Sequence, residues 1–399
     1  MPKRWLFILM LASLSAFVPL SIDMYLPAFP QIAKDFGVEI GQVQQTLSIY
    51  MIGMAMGQVL YGALADRWGR RRLLLWGMMV FTIATAGCAL SGSIGALMFW
   101  RLGVAVGGSA GIVITRAIVR DSFGITESAQ IYGTLMLVLG IVPVLAPFFG
   151  GQLLLLTGWR GIFWLIATFA AMSVVTVYRY MPETLPHEHR VQHGVGDILR
   201  VYRRLFRTRL YLGYVLSLGC VSAVLFAYIV GSPTLYIEIY GISAQAFGLI
   251  FGINTAAMIM AAQANRWLLK HYPQRRILET AYALNLALAL VLWLQVVTSW
   301  GGFPAAVTVV FLCVGSTGFL FPNLLSLAMG PVGHIAGSAS ALMGTLQYAV
   351  GGLSGAVVGF LYNGTVNPMM GVLVASSFIG YVLLRVMARE AGVSGRVYA

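Results

Sequence analysis

Apolar residues in this chain run in long blocks, such as Trp5 to Leu20, Leu73 to Leu90 and Phe303 to Leu320, close to the ~20 residues that a membrane-spanning helix needs. Polar or Gly/Pro-rich breaks separate the blocks. The pattern predicts twelve helical spans, near 5–27, 44–65, 73–92, 96–118, 128–153, 159–180, 210–231, 244–268, 277–297, 303–328, 336–361 and 368–386. Lys3 and Arg4 precede the first block as they would in a secretory signal, but the block continues through Asp23-Met24-Tyr25-Leu26-Pro27 with no small-residue cleavage site, so it reads as helix 1. The longest hydrophilic stretch, His187 to Arg209, falls after the sixth block. The expected organisation is therefore a six-helix bundle over 1–186, a linker over 187–209 and a second six-helix bundle over 210–399, all of it α-helical and integral to a membrane.

Composition narrows the class. Of 399 residues, 59% are hydrophobic and only 9% are charged, against roughly 25% charged in soluble domains. The mean hydropathy is +0.85. A net charge of +13 would suggest nucleic acid as a partner in a soluble chain. Here the basic residues sit in the even-numbered connections: Arg67 and Arg70 to Arg72 after span 2, Arg120 after span 4, Arg190 through Arg209 after span 6, and Arg266, Lys270, Arg275 and Arg276 after span 8. Only Lys34 and Arg160 fall in the opposite loops, so the positive-inside rule places both termini in the cytoplasm and no nucleic acid is expected. Cys88, Cys220 and Cys313 all lie inside spans without CxxC or Cys/His spacing, which points to no disulfide framework, no metal site and no cofactor.

The most specific motif is Gly62-Ala63-Leu64-Ala65-Asp66-Arg67-Trp68-Gly69-Arg70-Arg71-Arg72 between spans 2 and 3. Gly62 is expected to let span 2 approach a neighbour closely, Gly69 to supply the positive φ of a tight turn, and Asp66 to pair with nearby arginines. Asp121, at the end of span 4, is placed to accept Arg70. The motif resembles the loop 2–3 signature of the major facilitator superfamily, in which such a cluster latches the cytoplasmic side shut; the two-by-six layout matches that family's plan. Span 5 carries Gly140, Pro143, Pro147, Gly150 and Gly151, which resemble the family's antiporter signature with Ala146 in place of a glycine. Two prolines predict a bend there, and the glycines predict tight packing against a partner helix.

Inside the spans, Asp23 is the one clear carboxylate. A charge at that place costs roughly 2.5–3.5 kcal/mol on insertion scales, which makes it a functional candidate. Asp23 stands about eighteen residues into helix 1, or roughly 27 Å along its axis. Arg101 in helix 4 should lie at a similar depth, so the two are expected to share a pocket whose hold on a proton depends on whether substrate or arginine is near. Arg116 reads as snorkelling to the cytoplasmic side. Tyr25, Tyr50, Gln58, Asn254, Asn323 and Gln347 are candidates to line a cavity; aromatics, methionines and amides suit weakly charged amphipathic molecules.

Asp23-Met24-Tyr25-Leu26-Pro27, Leu47-Ser48-Ile49-Tyr50 with Gly57-Gln58, Ala117-Ile118-Val119-Arg120-Asp121, Ser232-Pro233 and Ala336 to Leu342 together resemble the Bcr/CflA group of bacterial drug:proton antiporters. Two positions depart from that group: Ala63 stands where relatives often have proline, and Arg101-Leu102-Gly103-Val104-Ala105 lacks the usual polar residue and glycine at its last two places. The resemblance implies a proton-coupled exporter of bicyclomycin- or chloramphenicol-type drugs in the bacterial inner membrane, acting as a monomer on small-molecule substrates and protons within the lipid bilayer. An exporter of amino acids or nucleosides would share every motif. A membrane enzyme would need catalytic groups converging at one depth, whereas His187, His189, His193, His271 and His334 all fall in loops and no second carboxylate lies clearly inside a span.

Overall fold

The computed structural model describes residues 4–185 and 195–394, with the side chains at 4, 63, 66, 125, 126, 129, 195–199, 333–337 and 387–394 left aside. Among these residues every regular element is helical. The first span is α1, Arg4–Asp23, which gives way to a 3₁₀ turn at Leu26–Ala28 and then to α2, Phe29–Phe36. Pro27 and Pro30 have no N–H to continue the helical ladder, so the expected single helix over 5–27 is broken at Asp23. Gly37, at φ 63°, closes α2 in the left-handed region.

Then follow α3 (Ile40–Trp68), α4 (Arg70–Ala89) and α5 (Ile94–Ser122). Helix α6 runs Ile125–Tyr180 and holds spans 5 and 6 together, parted only by Gly158 at φ 70° and ψ −178°. Trp159 Nε1 donates to Asp35 Oδ2 at 2.8 Å beside this break, and Arg160 lies 3.6 Å from the same carboxylate with its guanidinium 4.2 Å from the Trp159 ring. Pro143 and Pro147 keep helical angles; the residue of α6 that leaves them is Gly158, at values glycine alone tolerates.

Beyond the linker helix α7 (Val195–Arg207) come α8 (Arg209–Pro233), α9 (Ala244–Leu268), α10 (Gln274–Thr298), α11 (Gly302–Met329), α12 (Ala336–Phe360) and α13 (Asn367–Ser394). A π-helical turn at Thr234–Ile239 extends α8. Counting α1 with α2 as one span and α6 as two, the described residues hold twelve. Large apolar side chains remain uncovered along them, Leu156 at 81% and Ile83 at 63% exposure among them, as lipid-facing helices require.

The chain forms two compact units, one of 1–198 with 243–249 and the other of 199–242 with 250–399. In the first, α5 packs closely on α3 and α4: a side chain at Gly57 would collide with Ser109, and one at Gly77 with Ala110. In the second, Tyr211, Leu218, Tyr282, Leu320, Leu324 and Leu342 belong to one buried cluster, pinned by hydrogen bonds from Tyr211 to the Ala339 carbonyl (2.7 Å) and from Tyr282 to the Ser217 carbonyl (2.6 Å). Asn285 joins three helices there: its Nδ2 donates to the Cys313 carbonyl and Ser316 Oγ, and Ser377 donates to its Oδ1. All three cysteines are free thiols; Cys88 and Cys313 are buried and Cys220 is half-buried.

Candidate functional site

Asp23 is the last residue of α1, at the break, and is 4% exposed. The break frees backbone groups as well. Two residues earlier, the Ser21 carbonyl takes no bond from the Tyr25 N–H; it accepts instead from Arg101 Nη1 at 2.9 Å. Arg101 is completely buried, and its guanidinium lies 4.3 Å from the centre of the Tyr50 ring, 4.7 Å from Tyr25 and 6.0 Å from Phe163. Such contacts with ring faces stabilise a cation more when water is excluded. Its Nε and Nη2 find no acceptor among the described residues. Arg101 and Asp23 thus sit at one level of helix 1, yet no ion pair joins them among the described residues; the arginine holds the backbone beside the carboxylate rather than the carboxylate. Tyr25 is fully buried and its hydroxyl is 2.7 Å from Thr46 Oγ1.

The loop between α3 and α4 forms a joint with three anchor points. Gly69 takes φ 87° and ψ 160°, a conformation open to glycine and little else. Arg70 follows, buried to 2% exposure, with Nε donating to Asp121 Oδ2 at 2.9 Å. The carboxylate of Glu183, beyond the end of α6, accepts the Arg70 backbone N–H at 2.8 Å and the N–H groups of Thr184 and Leu185 at 3.1 Å. It thereby caps α4 from a distant part of the chain, at the end where a helix favours negative charge. Arg71 donates to the Tyr178 carbonyl and lies over that ring. The Asp66 side chain lies outside the described ones. Gly62 departs from expectation: among the described residues a Cβ there would meet nothing within 4 Å, so none of them presses a helix against it. Sequence reasoning missed Glu183 and Tyr178, whose signal was no more than a polar segment at the end of span 6.

In α6, Gly140, Pro143 and Pro147 all stay within the helix. Gly150 rests on the helix 1 break: a Cβ there would stand 2.2 Å from the Met24 carbonyl oxygen, one residue from Asp23. A Cβ on Gly151 would stand 2.7 Å from the Ala244 carbonyl oxygen, and Gln245 Nε2 donates to the Gly151 carbonyl at 3.0 Å.

The remaining cavity candidates separate by their bonding. Gln58 is buried to 6% exposure and Gln347 is half-buried. Asn254 donates to the hydroxyls of Tyr228 (2.9 Å) and Tyr236 (3.3 Å), while its buried Oδ1 finds no donor among the described residues. Asn323 Nδ2 is committed to Asn265 Oδ1 at 2.8 Å and to the Phe319 carbonyl, so its amide joins helices instead of facing a ligand.

The Major Facilitator Superfamily model matches residues 11–356. Among curated relatives, an uncharacterized MFS-type transporter, YdgK, of Bacillus subtilis is 33% identical over 96% of this chain and 95% of its own, and a bicyclomycin resistance protein homolog of Haemophilus influenzae is 31% identical over 96% of each. The multidrug resistance protein MdtL of Escherichia fergusonii is 28% identical over 92% of this chain and 91% of its own. Among solved structures, a bacterial homolog of the human lysosomal transporter Spinster superposes with a TM-score of 0.79 at 15% identity, covering 98% of this chain and 97% of that one. The human organic anion transporter MFSD10 gives a TM-score of 0.68 at 18% identity, covering 97% of this chain and 100% of that one. The chain is a multi-pass membrane transporter of the major facilitator superfamily, and belongs to its Bcr/CflA group.

Proposed function

We propose that this transporter exports small amphipathic drugs in exchange for protons, by alternating access across a bacterial inner membrane, with both termini in the cytoplasm, and that it acts as a monomer. The observation that carries this reading is the position of Asp23: a buried carboxyl group at a break in a spanning helix, beside an arginine held by aromatic rings and a backbone carbonyl. Exchange needs one group that holds a proton when substrate is absent and releases it when substrate arrives. Asp23 serves as that group, and Arg101 fixes the backbone that carries it, so that a shift of helix 1 or of the arginine changes the field at the carboxyl. The Arg70–Asp121 pair and the Glu183 cap support closure of the cytoplasmic side. Tyr25, Tyr50, Gln58, Asn254 and Gln347 supply ring faces and amides to substrate. The names of the relatives favour drugs over nutrients as cargo.

The test is proton release from purified protein when bicyclomycin or chloramphenicol is added. Wild type is expected to release protons, and Asp23→Asn to bind drug without doing so. Proton-driven transport by a folded Asp23→Asn variant would overturn the assignment.

A further inference from the structure

Residues 200–209 contain five arginines, Arg200, Arg203, Arg204, Arg207 and Arg209, and no carboxylate. Four of them belong to α7, whose opposite side is apolar: Leu205 is completely buried in the core of the second unit, and Val201 and Tyr202 pack against that core. At 100° per residue, Arg203, Arg204 and Arg207 fall together on the side away from this docked face. All three are exposed, and none of their guanidinium groups makes a hydrogen bond or ion pair with another described residue. Phe206, on the flank, is 47% exposed. A single residue, Thr208, separates α7 from the spanning helix α8. From Arg203 to the start of α8 is six residues, or roughly 9 Å at 1.5 Å per residue. That is about one Debye length at physiological salt, so all three charges stand where the field of a membrane surface is still felt.

We propose that this edge of α7 is a binding surface for anionic lipid headgroups, with Arg203, Arg204 and Arg207 on the headgroup phosphates and Phe206 at the acyl boundary. Arginine suits this role because its planar fork binds phosphate oxygens in pairs and its charge persists at any physiological pH. A helix docked by Leu205 cannot roll its charged edge away from the surface where α8 enters the bilayer. Such an edge anchors the linker to the leaflet and sets how far the second unit can tilt without pulling charges off the headgroups.

Full-length protein purified in detergent, titrated with phosphatidylglycerol or phosphatidylcholine and read by native mass spectrometry, tests the surface. Wild type is expected to prefer phosphatidylglycerol, with added salt weakening the preference. The triple variant Arg203→Gln, Arg204→Gln, Arg207→Gln is expected to bind phosphatidylglycerol roughly fivefold more weakly per arginine removed, about a hundredfold in all, with phosphatidylcholine unchanged. The corresponding triple lysine variant retains most of the preference and guards against a folding defect. Undiminished phosphatidylglycerol binding by the glutamine variant would overturn the proposal. So would no preference in wild type, or polyglutamate binding as tightly as the lipid with the same dependence on the arginines, which would make the surface one for acidic proteins.

Discussion

Arg101 is a cation inside a membrane span, and it is made tolerable by two ring faces within 5 Å and one backbone carbonyl, with two of its nitrogens left unbonded. Rings and hydroxyl can be separated by mutation. Tyr25→Phe keeps the ring over Arg101 and removes only the bond to Thr46, so it is expected to lower stability by about 1 kcal/mol and leave drug-linked proton release intact. Arg101→Lys loses the planar stacking and the aimed donor to Ser21; proton release is expected to fall at least tenfold, in a protein that thermal melting shows to be folded. Asp23 and Arg101 stood out in the sequence because each violates the apolar pattern around it. Their actual relation did not. Which carbonyl a broken helix leaves open depends on where the chain departs from helical angles, and the prolines at 27 and 30 put that point at Asp23 without showing that Ser21 would be the group exposed.

At the scale of helices, two glycines of similar standing in the sequence part ways. A methyl group on Gly150 would strike the Met24 carbonyl, displacing the segment that carries Asp23. Gly150→Ala is therefore expected to shift the pH profile of drug-linked proton release while drug affinity changes little. Gly62 has open space around its Cβ position; Gly62→Ala should be neutral or stabilising by up to ~1 kcal/mol, from helix propensity alone. A melting curve checks the stability, and loss of transport in a stable Gly62→Ala variant would show that another conformation brings a helix against this site. Gly69→Ala, with its positive φ, is expected to cost about 1–3 kcal/mol. Hydropathy revealed every span, since a helix in lipid must be apolar for its full length. It placed the boundary between spans 5 and 6 at 154–158, where the backbone does part them, but it did not single out Gly158 as the break, because one glycine out of helical angles leaves no mark on the apolar pattern.

For the whole molecule, the charge pattern yields a topology that reporters can check: a fluorescent protein fused to the C-terminus should glow and alkaline phosphatase there should be inactive. The loop 2–3 joint extends the same reasoning to conformational balance. Asp121→Asn removes the ion pair to Arg70, and Glu183→Gln weakens the cap on α4; both should lower the melting temperature and raise the accessibility of a reporter cysteine placed near the start of α4. The role of Glu183 was beyond sequence reasoning because it depends on the end of α6 meeting the start of α4, residues 113 apart in the chain.

The three native thiols decide how such labelling can be done. Cys88 and Cys313 are walled off at 0% and 2% exposure, and Cys313 stands beside the satisfied Asn285 network, where replacement would disturb three helices. Only Cys220 is half-open. One conservative change, Cys220→Ser, therefore leaves a protein nearly silent to membrane-impermeant maleimides. Spectroscopic rulers can then be installed on it without dismantling the core.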